Sequence, residues 1–204
     1  MSNKLKTPVA VLISGTGSNL QALIDAQANK NYQVALVISN RPNSFGLERA
    51  SKLGIPTLLI DHSNYNTRAQ FDSEMIRAIE SAKIEFVILA GFMRILTPEF
   101  TQRFLGKMLN IHPSLLPKYP GLNTHQKALE NQDDEHGLSI HFVTAELDGG
   151  PVIRQAKFSI EQPTTIDTLK QKVQILEHQS YPEVVDWLVT NKIELKNNQV
   201  IFTD

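Results

Sequence analysis

Val9-Ala10-Val11-Leu12-Ile13, followed at once by Ser14-Gly15-Thr16-Gly17-Ser18-Asn19-Leu20, is the stretch that sets the fold. Five consecutive apolar residues of strand length read as a β-strand covered on both faces, the condition of a parallel sheet with helices above and below it. Two glycines let the backbone bend away from the strand, and Leu20, Leu23 and Ile24 then recur at helical spacing. Ser18 or Asn19 is the expected cap of that helix, and the free N–H groups of its first turn make the junction a potential anion site. Leu20 stands where a dinucleotide fingerprint has its third glycine, and no Gly-Lys-Ser/Thr follows as in a triphosphate-binding loop. A phosphate monoester is the expected ligand.

Working outward, residues 34–38, 57–60 and 86–90 are further short apolar runs, separated by helical patterns. Residues 46–53 make a short helix stopped by Gly54, and residues 67–82 make a longer one with Phe71, Met75, Ala78, Ile79 and Ala82 on one face. This alternation predicts an α/β fold, a Rossmann-like open, mostly parallel twisted sheet with helices on both faces. Thr97-Pro98 supplies a cap and a first-turn proline for the next helix. Residues 107–109 read as a buried strand ending at Asn110, and Leu138, Ile140 and Phe142 alternate with Ser139 and His141 as strand residues do. Between them Thr124 caps a helix through Asn131, and Asp133-Asp134-Glu135 reads as a solvated turn. Thr164 or Thr165 opens a long helix with Glu177 and His178 near its end, before Tyr181-Pro182. Residues 193–202, with Asn197-Asn198 in the middle, complete a small C-terminal helix and hairpin extension. No repeat, low-complexity tract or linker divides the chain, so residues 1–204 read as one domain.

A hydrophobic content of 41% with 20% charged residues describes an ordinary soluble globular chain. A net charge of -1 argues against a broad nucleic-acid-binding surface. With Cys 0, disulfides, thiolate zinc sites and cysteine nucleophiles are excluded. No signal-peptide apolar region opens the chain and no apolar run is long enough to span a bilayer, so no membrane is expected and a cytoplasmic setting is.

Asn110-Ile111-His112-Pro113-Ser114-Leu115-Leu116-Pro117 is the stretch with chemistry in it. The prolines exclude a helix, and an amide and an imidazole two residues apart on a strand point to one face. They sit at the carboxyl end of a strand, where open α/β sheets keep their ligand crevices. Taken alone, Asn-x-His reads as a polar strand end before a loop, Asp148 before Gly149-Gly150 as a turn former, and His141, lacking metal-ligand spacing to a partner, as structural or peripheral. Gly91 to Leu96 is apolar for a connection and suits either the core or the wall of a flat apolar ligand. Arg68, in a first helical turn where its charge opposes the dipole, would be explained by a carboxylate-bearing ligand. No acidic residue follows the strand at 34–38 to hold a dinucleotide ribose; Arg41 stands there instead.

Four segments in order, residues 15–20, 90–96, 110–117 and 146–151, resemble the phosphoribosylglycinamide formyltransferase family, the folate-dependent enzymes of purine synthesis. The Asn-x-His-Pro-Ser-Leu-Leu-Pro element is shared with other formyl-folate enzymes, whereas the Gly-Thr-Gly-Ser-Asn-Leu loop points to the purine branch. The resemblance implies one formyltransferase domain that moves a formyl group from 10-formyltetrahydrofolate to the primary amine of glycinamide ribonucleotide, without a metal. It implies Asn110, His112 and Asp148 as the catalytic set, with Gly17, Ser18 and Asn19 on the phosphate and Glu177 on the ribose. Met93, Arg94, Ile95 and Leu96, together with Asn110, Thr144, Ala145, Glu146, Leu147 and Asp148, would line the folate site, with Arg68 near the folate tail. Ala145 replaces an acidic residue usual in the family. The expected assembly is a monomer or homodimer.

Chemically, amine attack on a formyl carbon creates an oxyanion that needs donors placed where the charge develops. Asn110 offers an amide N–H, and a protonated His112 a charge-assisted one, with Asp148 expected to keep the ring protonated. The rival readings each lack a part. A formyl-folate hydrolase would usually carry a preceding regulatory domain, and a tRNA formyltransferase a C-terminal RNA-binding one. A nucleotide-binding module leaves the triad unexplained, and a dinucleotide oxidoreductase lacks the third glycine and the acid.

Overall fold

A computed structural model describes residues 5–203. The expectation of no leader at the amino terminus concerns residues 1–4, which lie outside them. Strands β1 (Thr7–Ile13), β2 (Tyr32–Ser39), β3 (Thr57–Leu59), β4 (Phe86–Leu89) and β5 (Met108–His112) run parallel in the order β3-β2-β1-β4-β5. β6 (Glu135–Phe142) runs antiparallel to β5, and β7 (Val152–Ser159) antiparallel to β6, which completes the 7-stranded sheet. The helices are α1 (Ser18–Ala26), α2 (Phe45–Lys52), α3 (Arg68–Ser81), α4 (Pro98–Arg103), α5 (Thr124–Glu130) and α6 (Ile166–Val189). A hairpin of β8 (Ile193–Lys196) and β9 (Gln199–Phe202) follows, as its sequence suggests.

The sheet is covered on both faces because alternate residues of β1 supply two separate cores. Val9, Val11 and Ile13 pack with Leu20 and Leu23 of α1 and with Val184 and Val185 of α6. Ala10 and Leu12 pack with Phe71 and Met75 of α3 and Phe100 of α4. β1 lies between β2 and β4, so the connections leave it in opposite directions and a crevice opens at the carboxyl ends of β1 and β4.

Three local features differ from expectation. Neither Ser18 nor Asn19 caps α1: the cap is Gly17, left-handed with φ 72 and making no side-chain bond. A Cβ on Gly17 would lie 2.7 Å from the Cα of Gly46, so this glycine is demanded by α2 packing as well as by the turn. Likewise Asn123, left-handed at φ 61, precedes α5 where Thr124 was the expected cap. β5 does not stop at Asn110 but runs through His112.

The larger difference is α6, whose 24 residues pass through Pro182 instead of ending before it. An interior proline costs about 3 kcal/mol by removing a donor and crowding the preceding turn. Against this, Tyr181, Val184, Val185 and Leu188 are all buried by the continuing helix. At roughly 1.5–3 kcal/mol for each large apolar side chain, packing outweighs the proline. Tyr181 also donates its buried hydroxyl to the carbonyls of Leu89 (2.8 Å) and Leu109 (3.2 Å), at the ends of β4 and in β5. Tyr181→Phe should therefore lower the unfolding free energy by roughly 1–3 kcal/mol in urea titration, the cost of an unmade buried hydrogen bond. A change within about 0.3 kcal/mol would show that these carbonyls do not need the hydroxyl.

Candidate active site

Asn110 and His112 project from one face of β5, and the next strand contributes a third group to that face. The antiparallel register sets His141 of β6 directly opposite Asn110. The Asn110 amide nitrogen lies 3.2 Å from His141 Nε2 and 3.4 Å from Asp148 Oδ1. His141 Nδ1 meets the Phe142 carbonyl at 2.8 Å, which assigns its proton to Nδ1 and turns the Nε2 lone pair toward Asn110. His141 is thus a buried member of the site, not a peripheral residue. Its only sequence signal was alternation on a strand, and the register that pairs it with Asn110 is set by tertiary structure.

Asp148 arrives from the loop after β6 in a left-handed conformation, φ 50, which aspartate tolerates better than most residues. The following glycines let this loop fold back on the strand it leaves: a Cβ on Gly150 would be 1.8 Å from the Phe142 carbonyl oxygen. Asp148 Oδ2 accepts from the Gly121 N–H at 2.8 Å and faces His112 Nδ1 at 3.4 Å, while Oδ1 lies 3.7 Å from His141 Nε2. Burial pushes the Asp148 carboxyl up, but His141 and His112, whenever they carry a proton toward it, and the Gly121 N–H outweigh it and hold the group below its ordinary value.

For His112 the balance runs the other way. Burial lowers its pKa, and the Tyr119 carbonyl and the Asp148 charge recover only part of the loss. Asp148 thus favours the imidazolium, as expected, and desolvation outweighs it. Nor is the ring free to donate elsewhere. Nε2 meets the Tyr119 carbonyl at 2.9 Å, so the neutral ring carries its proton there and presents a bare Nδ1 to Asp148.

Beside these groups lies an apolar cleft whose wall includes Phe92, Ile95, Leu96 and Val143, with Arg94 at its edge. Thr144, Ala145, Glu146, Leu147, Asp148 and Asn110 close the other side. Ile95 and Leu147 are more than half exposed, which makes this apolar wall a ligand surface and not part of the core. Leu89 and Thr101 belong to the cleft without having been expected there, whereas Phe92 comes from the apolar connection expected as its wall. Met93 instead lines the neighbouring cavity over the glycine loop, and Arg68 lines neither. Arg68 is exposed in the first turn of α3, where its charge and that of Arg94 act on buried Asp72, the acceptor of the Thr97 N–H at 2.6 Å.

The second cavity is lined by Ser14, Gly15, Thr16, Gly17, Ser18 and Asn19, with Arg41 at its mouth. Asn19 donates to Glu177 Oε2 of α6 at 3.0 Å, while its own side-chain oxygen is buried with no hydrogen-bond partner among the described residues. Burial, only partly offset by that single bond, lifts Glu177 to about 6. An orphaned acceptor beside the first turn of a helix is a place for a ligand bearing both an anion and a hydroxyl. The structure thus brings Gly17, Ser18, Asn19 and Glu177 together, and Asn110, His112 and Asp148 likewise.

Two cavities lined by alternating residues of the loop after β4, Phe92 and Arg94 in the one with the apolar wall and Gly91 and Met93 in the one suited to an anion, are the arrangement of an α/β enzyme acting on two organic substrates. Residues 7–185 match the family model described as formyl transferase, and the chain belongs to that family. It is 50% identical over 192 residues to the phosphoribosylglycinamide formyltransferase of Escherichia coli, covering 93% of this chain and 91% of that one. It is 44% identical over 197 residues to the human trifunctional purine biosynthetic protein adenosine-3, covering 96% of this chain and 20% of that protein. The solved phosphoribosylglycinamide formyltransferase of Coxiella burnetii superposes with a TM-score of 0.93 at 46% identity, over 97% of this chain and 93% of that one.

Replacing Asp148 by asparagine removes a charge that favours the imidazolium, so the His112 pKa should fall further below its ordinary value. A histidine NMR titration of folded Asp148→Asn checks this, and an unchanged or higher pKa would show that the pair is not electrostatically coupled.

Proposed function

We propose that this chain transfers the formyl group of 10-formyltetrahydrofolate to the primary amine of 5-phosphoribosylglycinamide, with residues 1–204 acting as one formyltransferase domain. The observation that carries the reading is the placement of Asn110 and Asp148 in the wall of the apolar cleft, a few residues of sheet away from the glycine-loop cavity. In this reading the pterin occupies the cleft, and its wall holds the formyl group over β5. The ribonucleotide phosphate takes the N–H groups after Gly17, and Asn19 with Glu177 takes the ribose hydroxyls. The enzyme handles small molecules in the cytoplasm, as a monomer or homodimer.

The residues have distinct tasks. Asn110 donates to the oxygen on which negative charge develops, where a preorganised donor is worth most. Asp148 stays ionised beside it and attracts the proton the amine must lose. That proton is taken by His112 Nδ1, which is bare and 3.4 Å from the carboxylate, and is passed to the folate N10 as its bond to the formyl carbon breaks. His141, through its Nε2 lone pair, fixes the orientation of the Asn110 amide. No step requires a metal, and no group of three or more His, Cys, Asp or Glu side chains that could hold one exists among the described residues.

Asn110→Ala, His112→Ala and Asp148→Ala should each lower kcat by about a hundred- to a thousandfold, as loss of one oxyanion donor or of a general base does. Near-normal turnover by any of the three, shown folded by circular dichroism, would remove that residue from the mechanism. Asn19→Ala should raise KM for the ribonucleotide by about tenfold or more, leaving KM for the folate within about twofold, because remote phosphate and ribose contacts position only one substrate. Steady-state kinetics with each substrate varied in turn distinguishes the two. Brisk formyl-folate hydrolysis that the ribonucleotide does not redirect would make the enzyme a hydrolase.

A further inference from the structure

We infer that Asp133, acting through Tyr119, is a positioning residue that fixes which nitrogen of His112 carries the proton. The inference rests on the proposed role of the His112–Asp148 pair, and deepens it. Between β5 and α5 the chain loops over the pair and contacts both members. The Tyr119 carbonyl meets His112 Nε2 at 2.9 Å, and two residues later the Gly121 N–H donates to Asp148 at 2.8 Å. Those two contacts come from backbone atoms, so their geometry is only as good as the placement of the loop.

The base of the loop is tied to the sheet. Ser139 donates its hydroxyl to the Ser114 carbonyl at 2.7 Å and accepts from the Leu116 N–H at 2.9 Å. The segment that carries the functional carbonyl is held from within the loop by the Ser114 hydroxyl, which donates to the Lys118 carbonyl at 2.6 Å and lies 3.4 Å from the Tyr119 carbonyl, and from outside the loop by one carboxylate. Asp133, just past α5, spreads its two oxygens over consecutive loop residues: Oδ1 pairs with Lys118 Nζ at 2.9 Å and Oδ2 accepts from the Tyr119 hydroxyl at 2.9 Å. Its side chain is only 11% exposed, so the solvated turn expected of Asp133-Asp134-Glu135 does not describe it. Tyr119 itself is left-handed, φ 58, a conformation uncommon for a bulky residue and held here by contacts at both ends of the side chain and backbone.

The consequence is chemical. A neutral imidazole has one N–H, and its location decides what the other nitrogen can do. With the Tyr119 carbonyl in place the proton stays on Nε2, and Nδ1 is free to receive a second proton next to Asp148. If the loop drifts, the neutral ring is better satisfied by moving its proton to Nδ1 and donating to Asp148. That tautomer has no vacancy facing the carboxylate. Asp133 thus acts two contacts away from the reaction, and its effect is on turnover and not on either substrate's binding.

The experiment compares Asp133→Ala, Tyr119→Phe and the double variant with wild type. Tyr119→Phe keeps the backbone carbonyl and removes only the hydroxyl, so it tests the same contact if Asp133→Ala fails to fold. General-base assistance is typically worth about 10²–10⁴-fold, and partial loss of the working tautomer should lower kcat by about tenfold in each single variant. KM for both substrates should stay within about twofold, and the double variant should be no slower than the worse single one, because one interaction is being removed twice. Nitrogen-15 NMR of His112 should show the Nε2–H form in wild type and a shift toward Nδ1–H in the variants. Unchanged kcat in folded variants, multiplying defects in the double variant, or an unaltered tautomer would each overturn the inference. If His112→Ala itself turns over normally, it is the mechanism that fails; if His112→Ala is inactive and Asp133→Ala is normal, only the positioning role does.

Discussion

Strand β5 lies where the sheet changes direction, parallel to β4 on one side and antiparallel to β6 on the other, and the site depends on its register. Asn110 is flanked by Leu89 and His141 across the two ladders. Because strand side chains alternate, a slip of one residue would turn Asn110 and His112 to the opposite face and bring Ile111 into the site. Buried Ile111, Leu109 and Met108 oppose such a slip by filling the two cores. The antiparallel return matters equally: only because β6 runs back along β5 does the loop after Phe142 emerge where Asp148 can reach the same pair.

Two carboxylates of the site show how the number of donors decides ionisation under burial. Asp148 has His141, the Gly121 N–H and His112 around it and is held ionised. Glu177 has a single bond from Asn19 and rises to about 6. The same desolvation acts on both, and hydrogen bonds to the charged form are what separate them. An ionised group suits the handling of an amine proton; one that shares its proton near neutrality suits hydroxyls, to which it can donate or accept.

Much of this was legible because the deciding signals are local. The apolar run before Gly15, the helical spacing of Leu20, Leu23 and Ile24, and the Thr97-Pro98 start each act within a few residues, and the parallel sheet follows from their alternation. Asn110 and His112 share a face by strand geometry alone. What escaped depends on contacts distant in sequence. His141 gains its role from an antiparallel partner 31 residues away. Asp133 is half-buried and bonded to a tyrosine 14 residues earlier. Gly17 answers to Gly46, and α6 survives Pro182 because of the sheet it covers. The balance at His112 belongs here too, since a neighbouring carboxylate can be read from sequence and the depth of burial that outweighs it is a property of the fold.

Helix α6 touches both halves of the site within a single turn. Glu177 reaches Asn19 at the glycine loop, and Tyr181, four residues on, holds the carbonyls of Leu89 and Leu109 beside the cleft. Four residues of helix span about 6 Å along the axis. The helix therefore works as a rigid gauge block between the two subsites: the spacing of one substrate from the other is written into the pitch of a helix and not into any loop. A displacement of about 1 Å between reacting groups can cost about a hundredfold in rate, so a bimolecular reaction gains more from such a fixed spacer than from a tighter grip on either partner.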